Sequence, residues 1–259
     1  GQEWYRVSLR PISLNADGSM NTDTVRVTIP EGYTVEQTIA LLAKNGVNTE
    51  EALTEAAKTA TFDYSYIDNS SEDISRLEGY LFPDTYDFYI NEKPANALGR
   101  LIKNFNSKLD DDLLDKAEER GYDLKDIITI ASLIEKETDG TDQTKIASVI
   151  YNRLEGPGDK QGTYGMLQID ASLLYGLEDH EGTITNADLQ TDTPYNLYKY
   201  AGLPPTPIAN PGLASIQAAL EPDNTNYYYY ALGKDGVHHF FTNYADHLAF
   251  VKSSDYAGN

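Results

Sequence analysis

The first part of the chain alternates apolar and polar residues briefly and then changes to helical spacing. Residues 25–29 (VRVTI) alternate as a half-buried strand does. Thr34 and Gln37 form a predicted capping box at the start of one helix, and Asn48 is placed to begin a second. Residues 62–66 (FDYSY) have the pattern of a returning strand. These patterns predict a compact β-α-α-β unit.

Helical spacing dominates the second part of the chain. The patterns predict helices over 96–106, 110–120, 123–140, 144–155, 170–177, 186–190, 210–220 and 245–251, and a β-hairpin around 233–236. We therefore expect an α+β protein with two domains. The small β-α-α-β subdomain and its connecting segment occupy residues 1–90, and a mainly helical domain with the hairpin occupies residues 91–259.

The helix predicted from Asp123 to Gly140 carries two glutamates near the end of an otherwise apolar segment, IITIASLIEKETDG. At about 100° per residue, Glu135 and Glu137 lie about 200° apart around the helix, so they cannot face one site together. Ile128 lies on the side of Glu135. A carboxylate of this helix therefore acts alone or with a partner from elsewhere, unless both acids are simply solvated at a frayed end.

Composition and charge narrow the possible partners. The 259 residues include 41 acidic and 20 basic side chains, for a net charge of −21. Nucleic acid is excluded as a partner because its phosphates would be repelled. The 20 tyrosines are compatible with carbohydrate binding, since a tyrosine ring packs on a sugar face while its hydroxyl forms hydrogen bonds. Tyrosine that replaces phenylalanine on half-buried strands would give the same count.

The sequence provides no signature of a cofactor or metal site. Cysteine is absent, so disulfides, cysteine nucleophiles and thiolate zinc sites are excluded. No phosphate-binding loop, dinucleotide fingerprint or nucleophile elbow occurs. His238 and His239 are adjacent on a predicted strand and point to opposite faces. We expect neither metal nor cofactor.

The β-α-α-β segment resembles a LysM domain, a small module that binds N-acetylglucosamine polymers. The resemblance depends on Gly32, residues 33–35 (YTV), residues 39–40 (IA) and residues 46–47 (GV). It implies a LysM-like subdomain that binds glycan. A packing domain of the same shape without a ligand is the alternative.

An ordered set of motifs resembles the YceG-like family of endolytic murein transglycosylases (MltG). In chain order the motifs are LEGYLFPDTY, ASLIEKET, ASVIYNRL, LQID, PYNLYKYAGLPPTPIANPG and a hairpin with HHFF. The resemblance covers nearly the whole chain from Val25 to Val251. Two departures concern substrate contacts: Ala171 follows the LQID motif where the family often has proline, and residues 237–241 double the usual G-x-H-x-F spacing.

The resemblance implies a lytic transglycosylase that cuts the β-1,4 bond between N-acetylmuramic acid (MurNAc) and N-acetylglucosamine (GlcNAc) without water. It assigns the catalytic carboxylate to Glu135, acting first as general acid and then as base while a 1,6-anhydroMurNAc end forms. An apolar setting from Ile128 and Ala131 would raise the pKa of Glu135 by desolvation. Glu137 is expected to have a structural or supporting role.

Further polar residues of these motifs are expected to contact the glycan. They are Asn152, Gln168, Asp170, Tyr195 and Asn196, together with Glu78 and Tyr80 at the groove. Helix capping and loop bracing are the alternative roles for these side chains. Two other functions stay open: a non-catalytic wall-binding protein that uses the LysM-like unit, and a hydrolase that uses water with Asp170 as its second acid.

The resemblance also implies a cellular setting. Members are anchored by a single N-terminal membrane helix, which this sequence does not contain, and their catalytic domain lies on the extracytoplasmic side. We therefore expect peptidoglycan strands as substrate, and the peptidoglycan synthases are possible partners. Cutting nascent strands would limit their length.

Overall fold

The computed structural model describes residues 18, 23–109, 111–138, 140–156, 162–177 and 182–258. Most of the first 22 residues of the predicted N-terminal domain lie outside these ranges, as does Asp110, the predicted first residue of a helix. The α+β fold class is confirmed. The boundary between residues 90 and 91 stays a prediction.

The N-terminal unit has a β-α-α-β order, but its second strand lies at residues 85–89 rather than at the predicted 62–66. Its elements are β1 (Thr24–Thr28), α1 (Val35–Lys44), α2 (Glu50–Thr59) and β2 (Thr85–Tyr89). β1 and β2 pair antiparallel, with Val27 opposite Tyr86. The capping box of α1 is present, since Thr34 and Gln37 exchange side-chain-to-backbone hydrogen bonds. The N-cap of α2 is Thr49 rather than Asn48.

The predicted returning strand over 62–66 is wrong, because β2 takes the place beside β1. The backbone N–H and C=O of Phe62 bond instead to the side chain of Asn69, at 3.0 and 2.8 Å. Tyr64 and Tyr66 stack on each other with ring centroids 5.4 Å apart. The alternating aromatic residues therefore form a cluster on a loop rather than a strand face.

The second part of the chain is mainly helical. Its elements are α3 (Pro94–Asn106), α4 (Asp111–Glu119), α5 (Leu124–Glu137), α6 (Gln143–Glu155), α7 (Asp170–Tyr175), α8 (Leu213–Leu220), β3 (Tyr229–Leu232), β4 (His238–Phe241) and α9 (Tyr244–Val251). The predicted hairpin is confirmed, since β3 and β4 pair antiparallel. Among the described residues, no helix combines the length and the apolar character that crossing a bilayer requires.

Helix α5 is the centre of this part. Asp123 caps its N-terminus by accepting a hydrogen bond from the N–H of Asp126, at 2.8 Å. Residues 127–134 are all buried, so the helix is enclosed on every side rather than along one stripe. It packs against α6 and α8 and ends at Glu137. The end of α5 is therefore held from several directions.

The start of α8 differs from the prediction that Asn210 would cap it. The helix begins at Leu213, after Gly212. The side chain of Asn210 is used elsewhere, because its Oδ1 accepts hydrogen bonds from the N–H groups of Gly79 and Leu81, both at 2.9 Å. Its amide donates to the carbonyl of Tyr33 at 2.8 Å. Asn210 thus joins the N-terminal unit to the helical part.

Glu78 lies at the same junction. Its carboxyl is 2 % exposed and accepts hydrogen bonds from the N–H of Val35 at 3.1 Å, the hydroxyl of Tyr175 at 2.9 Å and the amide of Asn210 at 3.2 Å. Burial raises the pKa of Glu78 to about 8, although the hydrogen bonds from Val35 and Tyr175 oppose the shift. We call Glu78, Asn210 and their hydrogen-bond partners the junction.

The first prediction concerns the pH dependence of stability. Folded Glu78 keeps its proton up to about pH 8, whereas the unfolded carboxyl loses it near its ordinary value of 4.5. Its contribution to the free energy of unfolding is therefore complete below about pH 4.5 and is lost as the pH rises through about 8. Glu78→Gln should remove this decline. Urea unfolding from pH 5 to 9 measures it.

The matched control is Glu55→Gln, on the exposed side of α2. This variant should follow the wild-type pH profile. A Glu78→Gln profile parallel to that of wild type would contradict a protonated carboxyl at the junction.

Candidate functional site

A cleft of about 680 Å³ opens between the end of α5, the segment before α7, the β3–β4 hairpin and α9. Its size is that of a typical small-molecule or sugar site. The residues lining it are Glu137, Arg153, Gln168, Asp170, Tyr198, Tyr229, Tyr230, Ala231, Leu232, His238, Tyr244, His247, Val251, Tyr256, Ala257 and Gly258. Tyrosine rings and charged groups therefore face the same space.

Glu137 enters the cleft from the last residue of α5. The hydroxyl of Tyr230, on β3, donates a hydrogen bond to its Oε2. Burial raises the pKa of the Glu137 carboxyl, and the charge of Asp170 raises it further, while Tyr230, His238 and Arg153 act in the opposite direction. Glu137 thus has the environment of a carboxylic acid that holds its proton.

Arg153 fixes the positions of two walls of the cleft. Its Nε donates to the carbonyl of Tyr228 at 2.7 Å, and a terminal N–H donates to the carbonyl of Leu167. The side chain is 6 % exposed, and burial lowers the pKa of its guanidinium, which stays charged in proteins. Arg153 therefore holds the hairpin to the segment before α7 and places a positive charge near Glu137.

Gln168 and Asp170, both predicted to bind substrate, line the cleft. Gln168 has φ of +53°, a left-handed conformation that is unusual for a residue other than glycine. Its N–H donates to the carbonyl of Leu197 at 3.0 Å, which holds the backbone in place. Asp170 is the first residue of α7 and accepts a hydrogen bond from the hydroxyl of Tyr198. These polar side chains lie around the same space as Glu137.

A histidine–aspartate pair completes one side of the cleft. The Nδ1 of His238, on β4, lies 2.7 Å from Oδ2 of Asp142, just before α6. The other oxygen of Asp142 accepts a hydrogen bond from the hydroxyl of Thr138, which follows α5 directly. His239 points to the opposite face, as predicted, and its Nε2 lies 3.0 Å from Asp235.

Glu135, the predicted catalytic acid, points away from the cleft and toward the N-terminus of α8. Its Oε2 accepts hydrogen bonds from the N–H of Gly212 at 3.0 Å and from the hydroxyl of Ser215 at 2.7 Å, at the N-terminus of α8. A helix N-terminus stabilises a negative charge. A Cβ added at Gly32 of the N-terminal unit would lie 3.5 Å from Cγ of Glu135, so the two residues are neighbours. Burial of Glu31 raises the pKa of its own carboxyl, and the nearby charge of Glu135 raises that pKa further. Glu135 is not among the residues lining the cleft.

The two predicted asparagines brace the backbone. The amide of Asn152 donates to the carbonyls of Thr225 and Tyr227, both at 2.9 Å. Asn196 is fully buried, and its amide donates to two carbonyls of the preceding loop, at 3.1 and 2.9 Å. Their expected contact with glycan stays a prediction, and their amide groups are engaged within the protein.

The other residues predicted to contact the glycan, Tyr195, Tyr80 and Glu78, also lie outside the cleft. The hydroxyl of Tyr195 pairs with that of Thr206 at 2.8 Å. Tyr80 is 3 % exposed and packs within an aromatic cluster, and Glu78 belongs to the junction. Glu78 and Tyr80 are buried, and their expected place at a glycan groove stays a prediction.

The cleft residues that the sequence analysis missed include Arg153, Tyr198, Tyr230 and His238. The hairpin pattern contained a signal for two of them. Once β3 and β4 are paired, Tyr230 and Leu232 share a face with His238, because alternate residues and cross-strand partners point the same way. Arg153 and Tyr198 lie within the motifs ASVIYNRL and PYNLYKYAGLPPTPIANPG, and membership of these motifs was the one signal for them.

The comparisons with known proteins agree on a family. The model of the YceG-like family matches residues 12–253. The chain is 33 % identical over 223 residues to the endolytic murein transglycosylase of Bacillus subtilis (strain 168), covering 82 % of this chain and 60 % of that relative. It is 30 % identical over 242 residues to a protein of the same name from Streptococcus pneumoniae, covering 85 % and 43 %. The chain thus spans about half the length of the curated relatives it matches.

A solved structure is similar over most of its length. The crystal structure of a YceG-like protein from Listeria monocytogenes has a TM-score of 0.71 and 30 % identity, covering 88 % of this chain and 76 % of that one. Family model, relatives and fold therefore lead to one conclusion: the chain belongs to the YceG-like family.

Proposed function

We propose that the protein is an endolytic peptidoglycan lytic transglycosylase. It cleaves the β-1,4 bond between MurNAc and GlcNAc in a glycan strand and leaves a 1,6-anhydroMurNAc end. The names of the relatives from Bacillus and Streptococcus support the substrate and reaction. The observation that carries the proposal for this chain is the partly buried acid Glu137 in a cleft rich in tyrosine.

In this proposal Glu137, rather than Glu135, is the general acid. A general acid must hold a proton at working pH and must reach the leaving oxygen. Burial raises the pKa of Glu137, and its side chain lines the cleft. Glu135 instead accepts hydrogen bonds from Gly212 and Ser215 at the N-terminus of α8 and does not line the cleft.

Tyr230 selects the oxygen that carries the proton. Its hydroxyl donates to Oε2 of Glu137, so that oxygen acts as an acceptor. The proton of the acid then resides on Oε1. No partner for Oε1 occurs among the described residues, which leaves it free to meet a sugar oxygen.

The chemistry follows from this arrangement. Oε1 donates its proton to the glycosidic oxygen, and the bond from that oxygen to C1 of MurNAc breaks. The C6 hydroxyl of the same MurNAc then bonds to C1 and gives up its proton to a base. In the simplest scheme Glu137, now a carboxylate, is that base. A hydrolase instead uses a second carboxylate as nucleophile or to activate water.

The surrounding side chains would bind the sugars. Asp170 and Gln168 offer acceptors and donors to hydroxyl and N-acetyl groups, and the tyrosines offer faces on which sugar rings pack. The left-handed conformation of Gln168 has a conformational cost, and such residues cluster at functional sites. Gln168 therefore supports the assignment of this cleft.

The cellular setting belongs to the same proposal. We infer that the enzyme cuts nascent strands and so limits their elongation, close to peptidoglycan synthases. The catalytic part would lie outside the cytoplasmic membrane, anchored by a single N-terminal helix. The LysM-like unit would add binding to the glycan.

The second prediction compares the two acids of α5. Glu137→Gln retains the size and polarity of the side chain but cannot exchange a proton, so turnover of purified glycan strands should fall about 10²–10⁴-fold. Glu135→Gln is the matched control, two residues away. It should keep most of the turnover and lose about 0.5–2 kcal/mol of stability, because the N-terminus of α8 loses a charged partner.

Turnover is measured by counting new strand ends, with urea unfolding and circular dichroism on each variant. If Glu135→Gln loses turnover while Glu137→Gln retains it, the catalytic role passes to Glu135, as the resemblance implied. Full turnover in both folded variants would exclude both glutamates as the general acid, and absence of turnover by the folded wild-type protein would favour a non-catalytic wall-binding protein.

The third prediction concerns the product of the wild-type enzyme. Mass spectrometry of digested strands should show anhydromuramyl ends, which are lighter by one water than reducing ends. An Asp170→Asn variant should form the same ends, because Asp170 only binds substrate in this account. Reducing ends that depend on Asp170 would establish the hydrolase alternative.

A further inference from the structure

Glu137 has one carboxyl oxygen available to substrate. Tyr230 donates a hydrogen bond to Oε2, and Oε1 is the oxygen that protonates the leaving group in the proposed reaction. If Glu137 also took the proton of the C6 hydroxyl, that same oxygen would have to serve two different sugar oxygens in succession. A second proton acceptor in the cleft would remove this constraint.

His238 has the geometry of such an acceptor. Its ring lies edge-on to the ring of Tyr230, with centroids 5.6 Å apart and an interplanar angle of 87°. Tyr230 is the residue that binds Glu137, so His238 and the acid share a neighbour. The positive charge that His238 carries when protonated would lower the pKa of the Glu137 carboxyl, which is consistent with the two groups lying near each other. Both groups line the cleft.

Asp142 determines which nitrogen of His238 is free. The side chains of His238 and Asp142 are 13 % and 18 % exposed, and their contact is 2.7 Å long. A carboxylate can only accept, so the proton of the neutral imidazole lies on Nδ1. Nε2 is then a hydrogen-bond acceptor. No protein partner for Nε2 occurs among the described residues.

A base oriented by a carboxylate is the arrangement that activates hydroxyl nucleophiles in other enzymes. Asp142 is itself held by the hydroxyl of Thr138, at the end of the helix that carries Glu137. The end of α5 thus carries Glu137 and, through Thr138, also holds the aspartate that orients His238.

We propose that His238, oriented by Asp142, is the base that takes the proton of the C6 hydroxyl. The inference rests on the proposed function and divides its acid and base roles between two residues. Glu137 gives its proton to the glycosidic oxygen, the C1–O bond breaks, O6 bonds to C1, and the O6 proton moves to Nε2. No electrons are exchanged with another molecule, and no water is consumed.

The step leaves Glu137 as a carboxylate and His238 as an imidazolium. Asp142 stabilises the imidazolium by its negative charge. Transfer of one proton from His238 to Glu137 through solvent restores the starting state. The enzyme therefore needs no external reagent for the next cut.

The chain offers a control for this inference in His239. It also pairs with an aspartate, but on the opposite face of β4, where it stacks on Phe250 with ring centroids 4.5 Å apart. A His239→Ala variant therefore changes a histidine–aspartate pair of the same hairpin outside the cleft.

The fourth prediction tests the base. On purified glycan strands, His238→Ala should lower kcat about 10²–10⁴-fold with little change in KM. Added imidazole should restore part of the kcat of His238→Ala and none of that of Glu137→Gln. His238→Gln, which can accept a hydrogen bond but no proton, should be as slow as His238→Ala. His239→Ala should stay near the wild-type rate.

Each outcome decides between a base and a structural side chain. If His238→Gln or His238→Ala keeps the wild-type kcat, or if imidazole fails to raise the kcat of a folded His238→Ala protein, the inference is overturned. Anhydromuramyl ends from the wild-type enzyme uphold the proposed function in either case. Reducing ends from the wild-type enzyme would overturn the proposed function itself.

Discussion

The contact between Glu135 and the N-terminus of α8 determines how the rest of the site is arranged. The carboxylate accepts the N–H of Gly212 and the hydroxyl of Ser215, and so fixes the rotation of α5 about its own axis. Glu137 lies about 200° further around the helix. Fixing one acid against α8 therefore directs the other into the cleft. The two glutamates are complementary parts of one structural arrangement.

The junction extends this constraint to the N-terminal unit. Asn210 joins the segment before α8 to Tyr33, Gly79 and Leu81 through hydrogen bonds of 2.8–2.9 Å. Gly79 has φ of +91°, and a side chain there would approach Ile128 of α5 to 2.6 Å. Buried polar groups of this kind are costly to leave without partners. The N-terminal unit, α8 and α5 therefore hold one another, and the cleft lies on the opposite side of α5.

Much of the fold could be predicted because its signals are local. The capping box at Thr34, the cap at Asp123 and the β3–β4 hairpin each depend on residues a few positions apart. The predictions that failed depended on contacts between residues that are distant in the chain. The strand predicted over 62–66 failed because Asn69 satisfies the Phe62 backbone while β2 takes the edge of β1.

Contacts between residues distant in the chain also explain why the site could be predicted only in part. Helical geometry placed Glu135 and Glu137 on opposite faces, but it could not say which face is open. Gly212 and Ser215 lie 77 and 80 residues from Glu135, and Tyr230 lies 93 residues from Glu137. The family resemblance assigned the catalytic role to Glu135, and the apolar side chain of Ile128 on the same side of the helix was consistent with it. Tertiary contacts that no local pattern contains decided the environment of each acid.

The most direct test of this account is a crystal structure of the Glu137→Gln variant with a bound MurNAc–GlcNAc tetrasaccharide. We expect the central glycosidic oxygen within hydrogen-bond distance of the side chain at position 137, about 2.6–3.2 Å, with the sugars lying along the tyrosines of the cleft. A strand bound instead beside Glu135, between α8 and the turn that contains Gly32, would contradict it.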